Sequence, residues 1–352
     1  MFDKNMMDLY TDYLICNMSL ATATGLSNVL DKQISHDKIT RFLGGLSGES
    51  KLLWAEVKPY IRKLEDTDDG YLILDDTIEE KPYTDENYIV CWHYSHSKHR
   101  NIKGMNILSA LIRYGDIALP TDYHIVSKST PVEDKDGKIK YKSDVSKNEV
   151  SRDFISNAKR NHIKFKYVLA DIWFAANENM QHIEDMGKKF IFGCKKNRLV
   201  RFDKIWHKLS DLKLADEQVI ICYVKGLSFP IAITKKVFTN EDLSMGELYL
   251  ISNDLSLSGH QLYKLYQKRW IIEEFHKSIK QNASLARSPT KIQRTQSNHI
   301  FCTMFAFVKL ESLKIKTTLN HFALRSKLFI NATKAALNQL QKLKLTQENV
   351  FC

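Results

Sequence analysis

Residues 266–280 read YQKRWIIEEFHKSIK. On a helix turning about 100° per residue, Tyr266, Arg269, Glu273 and Lys280 fall in one stripe about 60° wide. Leu265, Ile272 and Ile279 recur beside that stripe every seven residues, and Ile271 and Phe275 lie round the far side. A helix over residues 260–281 is therefore apolar over most of its circumference and is expected to be largely buried. Charges on such a helix need partners, a metal or a bound ligand, because an exposed pair of Arg269 with Glu273 would contribute only about 0.2–0.5 kcal/mol. Glu274 points about 100° off the stripe and takes no part in it.

Upstream, two apolar runs end in aspartate. YLIL at 71–74 leads into Asp75-Asp76-Thr77, and FKYVLA at 165–170 leads into Asp171. An aspartate after a strand is often only a turn or capping residue, but ligand groups in open α/β sheets also gather at strand ends. Further strand signals lie at 88–92 (YIVCW), at 117–119 following the run from 102 to 114, and at 190–194 (FIFGC). Helices are expected over about 146–161 and 178–188, so the order is β-β-β-α-β-α-β, an α/β domain. Residues 196–256 add β-like pieces at 219–224, 231–237 and 248–252, a β-rich insertion before the glutamate helix.

Residues 1–65 read as a helical domain with helices at 8–14, 26–30, 35–43 and 50–64, Ser35 and either Ser47 or Ser50 serving as N-caps. The stretch 25–43 is compatible with a helix-turn-helix, its second helix bearing His36, Lys38 and Arg41. EDTDDG at 65–70 is turn-rich and acidic, a linker to the core segments 66–195 and 257–300. The chain closes with a basic helical region, 301–352.

Charge is distributed unevenly. The formal net charge is +11, yet residues 256–352 hold 16 Lys/Arg against 4 Asp/Glu, so the first 255 residues are close to neutral. A folded basic segment of that size suits a polyanion, since each neutralised phosphate releases counterions. With 352 residues, 43% of them hydrophobic, the chain can bury more than one core. No apolar stretch approaches the roughly 18 residues of a membrane span, and MFDKNMMDLY lacks the basic end and apolar core of a signal peptide. The expected location is the cytoplasm, on the nucleoid when bound to DNA. Six scattered cysteines without a CxxC pair fit reduced thiols. Cys91, His93, His96 and His99 cluster locally, but nothing distant offers a second pair of zinc ligands.

If Asp75, Asp171 and Glu273 converge, they cannot all stay ionised without a cation, and hard oxygen donors select Mg²⁺ or Mn²⁺. Two such ions about 4 Å apart can activate a water or a 3′-hydroxyl for in-line attack on a phosphodiester. Arg269 and Lys280 on the same stripe suit flanking phosphates, and Tyr266 suits a phosphate or a displaced base.

The spacing Y-x2-R-x3-E-x6-K resembles the signature of the insertion-sequence-four family of DDE transposases. LILDDT resembles that family's first-aspartate strand, VLADIWF its second, HSKHRNIKGMNIL its basic Gly-Asn segment, and ELYLISNDLSLSGHQLYKLYQKRW its approach to the glutamate helix. The resemblance spans about residues 65–300. It implies a ribonuclease-H-like core interrupted by a β-rich insertion before the glutamate helix, between an N-terminal helical domain and C-terminal helices. It places catalytic, metal-holding roles on Asp75, Asp171 and Glu273, with two Mg²⁺ or Mn²⁺ ions, and DNA-strand handling on Tyr266, Arg269 and Lys280. The family pattern Asp-x-Thr, completed by Thr77, favours Asp75 over Asp76 as first ligand. The implied activity is cut-and-paste transposition by a homodimer acting on double-stranded DNA, the element's terminal inverted repeats and the target. Two alternatives remain: a transposase-derived DNA-binding regulator without catalysis, and a ribonuclease-H-like metal nuclease that does not join strands.

Overall fold

A run such as Leu72-Ile73-Leu74, apolar at successive positions, suits a strand covered on both faces, and all three side chains are buried. In the computed structural model, which describes residues 3–46, 50–65, 70–95, 98–133, 137 and 139–348, this run lies inside one large mixed sheet. In chain order the first elements are α1 (Lys4–Cys16), α2 (Ala23–Val29), α3 (His36–Gly45), α4 (Ser50–Leu64), β1 (Tyr71–Glu80), β2 (Cys91–Ser95), β3 (Arg100–Tyr114), β4 (Ile117–Ile125), β5 (Thr130–Glu133) and β6 (Ile139–Lys142). Then come α5 (Lys147–Arg160), β7 (Tyr167–Ala170), α6 (Asn177–Asp185), β8 (Lys189–Cys194), β9 (Leu199–Phe202), β10 (Ile205–Lys208), β11 (Val219–Val224), β12 (Pro230–Thr239) and β13 (Met245–Ser252). The helices α7 (Gly259–Gln267), α8 (Ile271–Gln281), α9 (Gln293–Thr317) and α10 (His321–Glu348) complete the chain. None of the helices among the described residues is long and apolar enough to cross a membrane.

Two compact units divide the chain, one of residues 49–276 and one of residues 1–48 with 277–352. In the first, the sheet order among the described residues is β10-β9-β11-β12-β13-β8-β7-β1-β3-β2, with β4 also paired to β3. β7 lies parallel to both β1 and β8. On its other side β1 is antiparallel to β3, which is antiparallel to β2 and β4. Two parallel strands on one flank of β1 and antiparallel strands on the other make a mixed α/β sheet compatible with a ribonuclease-H-like fold.

The sequence reading leaves residues 102–114 without a strand of their own. In the structure they belong to the 15-residue β3, whose residues from Met105 to Ile112 are buried on both faces. Without alternation the period-2 signal vanishes. In the turn that follows, Gly115 adopts φ +56 in a tight connection to β4, where a residue with a Cβ would be strained. The expected strand at 88–92 sits three residues later, as β2.

Residues 199–252 continue the same sheet. β13 pairs with β8, from Tyr249 opposite Cys194 to Ser252 opposite Ile191. The short strands β9 and β10, four residues each, go unnoticed in the sequence reading because four residues hold too little alternation. α4 groups with this unit rather than with α1–α3. Its buried stripe of Leu53, Val57 and Ile61 at four-residue spacing is one helix face, and Ser50 Oγ donates to Tyr123 O of β4 at 3.4 Å. Ser47, His96 and linker positions 66–69 lie outside the described residues.

The second unit centres on α9, buried nearly all round from Gln296 to Leu310. Tyr10 of α1 hydrogen-bonds His299 Nδ1 at 3.1 Å, and Lys309 pairs with Asp8 and Asp12 at 2.7 Å. Ser35 caps α3 by accepting from Lys38 N–H. Beyond the turn from α2, α3 presents His36, Lys38 and Arg41 to solvent. Most of α10 is exposed, including Leu337, Leu340 and Leu343.

Candidate active site

Asp75 and Asp76 are consecutive in β1, so their side chains leave opposite faces of the strand. Asp75 is half-buried, and its Oδ2 accepts from Arg269 Nη1 at 3.1 Å. Asp76 is held elsewhere: its Oδ2 accepts from Asn106 Nδ2 at 2.6 Å and from Lys147 Nζ at 2.9 Å. Asn106 reaches it from β3, where Gly104 permits close strand approach; a Cβ there would stand 2.3 Å from the Glu79 carbonyl oxygen.

Asp171 stands at the end of β7. The parallel register pairs Leu74 with Ala170, so Asp75 and Asp171 are the next residues on neighbouring strands. Asp171 Oδ1 accepts from Trp173 N–H at 2.9 Å, capping a 3-10 turn over Ile172–Phe174. That turn is close to β8 because residue 193 is glycine; a Cβ there would lie 2.9 Å from Ile172 N.

The expected single helix over 260–281 is broken. A 3-10 turn, Lys268–Trp270, separates α7 from α8. Three residues at the tighter 3-10 pitch add about 60° of rotation, so Tyr266 is offset from the line of Glu273. The turn also positions Arg269. Its guanidinium reaches Asp75 at 3.1 Å and Glu273 Oε1 at 3.5 Å, bridging the two carboxylates. The rings of Tyr266 and Trp270 lie 5.6 and 5.8 Å from the guanidinium carbon. Burial opposes the charge on Arg269, but Tyr266, Asp75, Glu273 and Asp171 together hold its pKa above the ordinary value. Tyr266 is itself buried, and burial raises its hydroxyl pKa.

Three residues come together as a set that could hold a metal ion. Asp75, Glu273 and His276 each offer one ligand atom, and these atoms lie within 4.8 Å of one another. Glu273 is 47% exposed in its side chain, whereas His276 is buried. The sequence reading misses His276, although Glu-x-x-His places both side chains on one helix face. Asp171 is outside this set, but its charge is felt at Asp75. Burial raises the pKa of Asp75 to about 7, Arg269 opposes the rise, and Asp171 and Glu273 add to it. The pKa of Asp171 is raised too, first by burial, against the hydrogen bond from Trp173 and the charge of Arg269. Lys280 is seven residues along α8 from Glu273, half-buried, in the helical unit.

The donor set fits a divalent cation. Burial raises the pKa of Asp75 to about 7, Arg269 opposes the rise, and the charges of Asp171 and Glu273 add to it, so a cation here would relieve both desolvation and repulsion; the protein's own guanidinium already bridges Asp75 and Glu273. Two buried polar atoms nearby, Arg269 Nε and the Oγ of Ser109, which pairs with Asp75 across the sheet, have no hydrogen-bond partner among the described residues. Such orphans mark sites where water or an ion completes the network. The local Cys/His cluster is differently occupied: Cys91 Sγ and His93 Nε2 are 3.2 Å apart on the buried side of β2.

No curated protein matches the chain at a significant level. The family described as DDE superfamily endonuclease matches residues 3–209, a stretch that includes Asp75 and Asp171. The transposase DDE domain matches residues 139–308, which include Asp171 and Glu273. With more than half of its length matched by the first of these, the chain belongs to the DDE endonuclease superfamily, whose transposase domain it also matches.

Proposed function

We propose that the protein is a transposase of the insertion-sequence-four type that moves a DNA element by cut and paste. The observation that carries this reading is the meeting of Asp75, Glu273 and His276 within 4.8 Å, beside the strand end that bears Asp171. Asp75, Asp171 and Glu273 are the catalytic carboxylates and would hold two Mg²⁺ or Mn²⁺ ions, with His276 adding a nitrogen donor. Bound metal would activate water or a 3′-hydroxyl and stabilise the leaving oxygen in phosphodiester attack. With metal holding Asp75 and Glu273, the Arg269 guanidinium that now contacts both would be available to a DNA phosphate, which its fork suits. Lys280 takes a further phosphate, and Tyr266 backs the Arg269 guanidinium from the DNA-handling side.

Double-stranded DNA is the partner: the element's terminal inverted repeats, then the target. α2 and α3 supply a helix-turn-helix for the ends, and the basic helices after residue 256 follow the backbone. A homodimer would pair two ends, and the exposed Leu337, Leu340 and Leu343 of α10 are the surface that supports such pairing. The protein would work in the cytoplasm on the nucleoid.

The test uses the inverted repeats that flank the gene. Purified protein with Mg²⁺ should cut a duplex carrying one repeat and join the freed 3′ end to a second duplex. Cutting without joining would identify a nuclease, and binding without cutting a regulator. His276 has its own measurement. An imidazole donor favours transition ions over Mg²⁺, so His276→Ala should weaken Mn²⁺ binding about tenfold or more while changing Mg²⁺ binding less. Calorimetric titration of both ions would show this, and equal Mn²⁺ affinity in the variant would remove His276 from the site.

A further inference from the structure

In a one-sided antiparallel sheet the outward positions are ordinarily polar. The outer strands β9, β10 and β11 depart from this. Their inward side chains, Val200, Ile220, Cys222 and Val224, are buried as expected. Their outward ones include Leu199, Trp206, Ile221 and Tyr223, which are 41, 48, 53 and 40% exposed.

The register makes this a row rather than a scatter. Trp206 and Tyr223 are each paired with Arg201, one on either side. The Arg201 guanidinium carbon lies 5.9 Å from the Trp206 ring and 5.0 Å from the Tyr223 ring. Leu199 and its cross-strand partner Lys208 extend the row. The strands read LVRF, IWHK and VIICYV, without an acidic residue. An exposed apolar patch of this kind marks an interaction surface.

We propose that this face binds unpaired nucleic-acid bases, which stack on Trp206 and Tyr223 while Arg201 and Lys208 meet the backbone phosphates. Aromatic faces interleaved with cations are the chemistry of a single-strand platform. A duplex conceals its base faces in its own stack, so a flat aromatic row discriminates for unpaired ones. The row is set before any strand arrives, because Arg201 already holds both rings. The proposal rests on the reading of the protein as a DNA-cutting transposase, since a cut end is where terminal bases leave the stack.

The experiment compares the full chain with the double variant Trp206→Ala/Tyr223→Ala and with Trp206→Phe/Tyr223→Phe. The probes are a fluorescein-labelled single-stranded oligonucleotide of mixed sequence and the same sequence as a blunt duplex. Anisotropy is read at one salt concentration without divalent metal, so that no cutting intrudes. The alanine variant should bind the single strand about tenfold or more weakly and the duplex within about twofold, and the phenylalanine variant should retain single-strand binding. Unchanged single-strand affinity would overturn the proposal, as would an equal loss on both probes. A shift to monomer in light scattering with DNA affinity intact would instead make this face a contact between copies, and would equally overturn it. Cutting and joining by the alanine variant is scored separately: if it cuts and joins but has lost no single-strand affinity, this proposal fails and the transposase reading stands.

Discussion

Replacing Glu273 with glutamine is expected to lower metal-dependent DNA cleavage about a thousandfold while leaving the fold and the binding of element ends intact. Glutamine keeps the shape of glutamate but offers a neutral amide where the site needs a charged oxygen donor. A thousandfold loss corresponds to about 4 kcal/mol, the order of transition-state charge stabilisation that a well-held metal supplies. Stability should hardly move. The Glu273 side chain is 47% exposed and its contact with Arg269 is 3.5 Å long, so removing its charge is a surface change worth within about 0.5 kcal/mol. Cleavage of a labelled repeat-bearing duplex, alongside a thermal melt and a gel-shift with the same duplex, checks all three. A variant that still cuts in Mg²⁺ at the wild-type rate would place the active site elsewhere. A variant that neither cuts nor binds would mean that Glu273 supports the DNA surface rather than the chemistry.

The second large effect concerns stability, and its sign is opposite to the effect on activity. Asp75→Asn should abolish cutting yet stabilise the metal-free protein above neutral pH. The carboxyl of Asp75 is held at about 7 against an ordinary 3.8, chiefly by burial, with Asp171 and Glu273 adding to it and Arg269 opposing. A carboxyl whose pKa is higher in the folded chain than in the unfolded one binds more protons when folded. Its contribution to stability is therefore fully present below about pH 4 and is lost as pH rises through about 7. Asparagine cannot ionise and escapes that loss. At pH 8 in a chelator, Asp75→Asn should be more stable by about 1–3 kcal/mol, with a melting temperature several degrees higher. The gap should close as the pH is lowered towards 4. Added Mn²⁺ should then reverse the order, because binding to the folded state stabilises only the protein that can hold the ion. Equal melting temperatures at pH 8 would show that Arg269 already neutralises Asp75. The combination is the stability cost of function in a site built from crowded carboxylates.

A broken helix underlies both effects. A regular helix through 260–281 would align Tyr266, Arg269, Glu273 and Lys280 by rotation alone. The 3-10 turn at Lys268–Trp270 instead swings Arg269 to where one guanidinium reaches Asp75 and Glu273 together. Arg269 thus acts as an internal counter-ion, and its transfer from carboxylate to phosphate would couple charge neutralisation at the site to the grip on DNA.

By itself the sequence determined what depends on near neighbours. The runs at 71–74 and 165–170, the strands at 219–224 and 248–252, the capped helix after Ser146, the apolar side of α8 and the concentration of basic residues after 256 are all local patterns. Period, capping chemistry and turn residues are written within a few positions of each other. Tertiary structure decided whatever depended on which face is covered and by what. Asp75 and Asp76 are adjacent and chemically alike, and only the pairing of β1 with β3, the 3-10 turn before α8 and the start of α5 put Arg269 against the first and Asn106 with Lys147 against the second. β3 was hidden because burial on both sides erases alternation. His276 carried a legible spacing from Glu273, but an Asp on a strand about 200 positions earlier had to be brought within 4.8 Å before that spacing acquired a chemical meaning. Desolvation and long-range charge, the causes of the raised pKa at Asp75, exist only once the chain has folded around it.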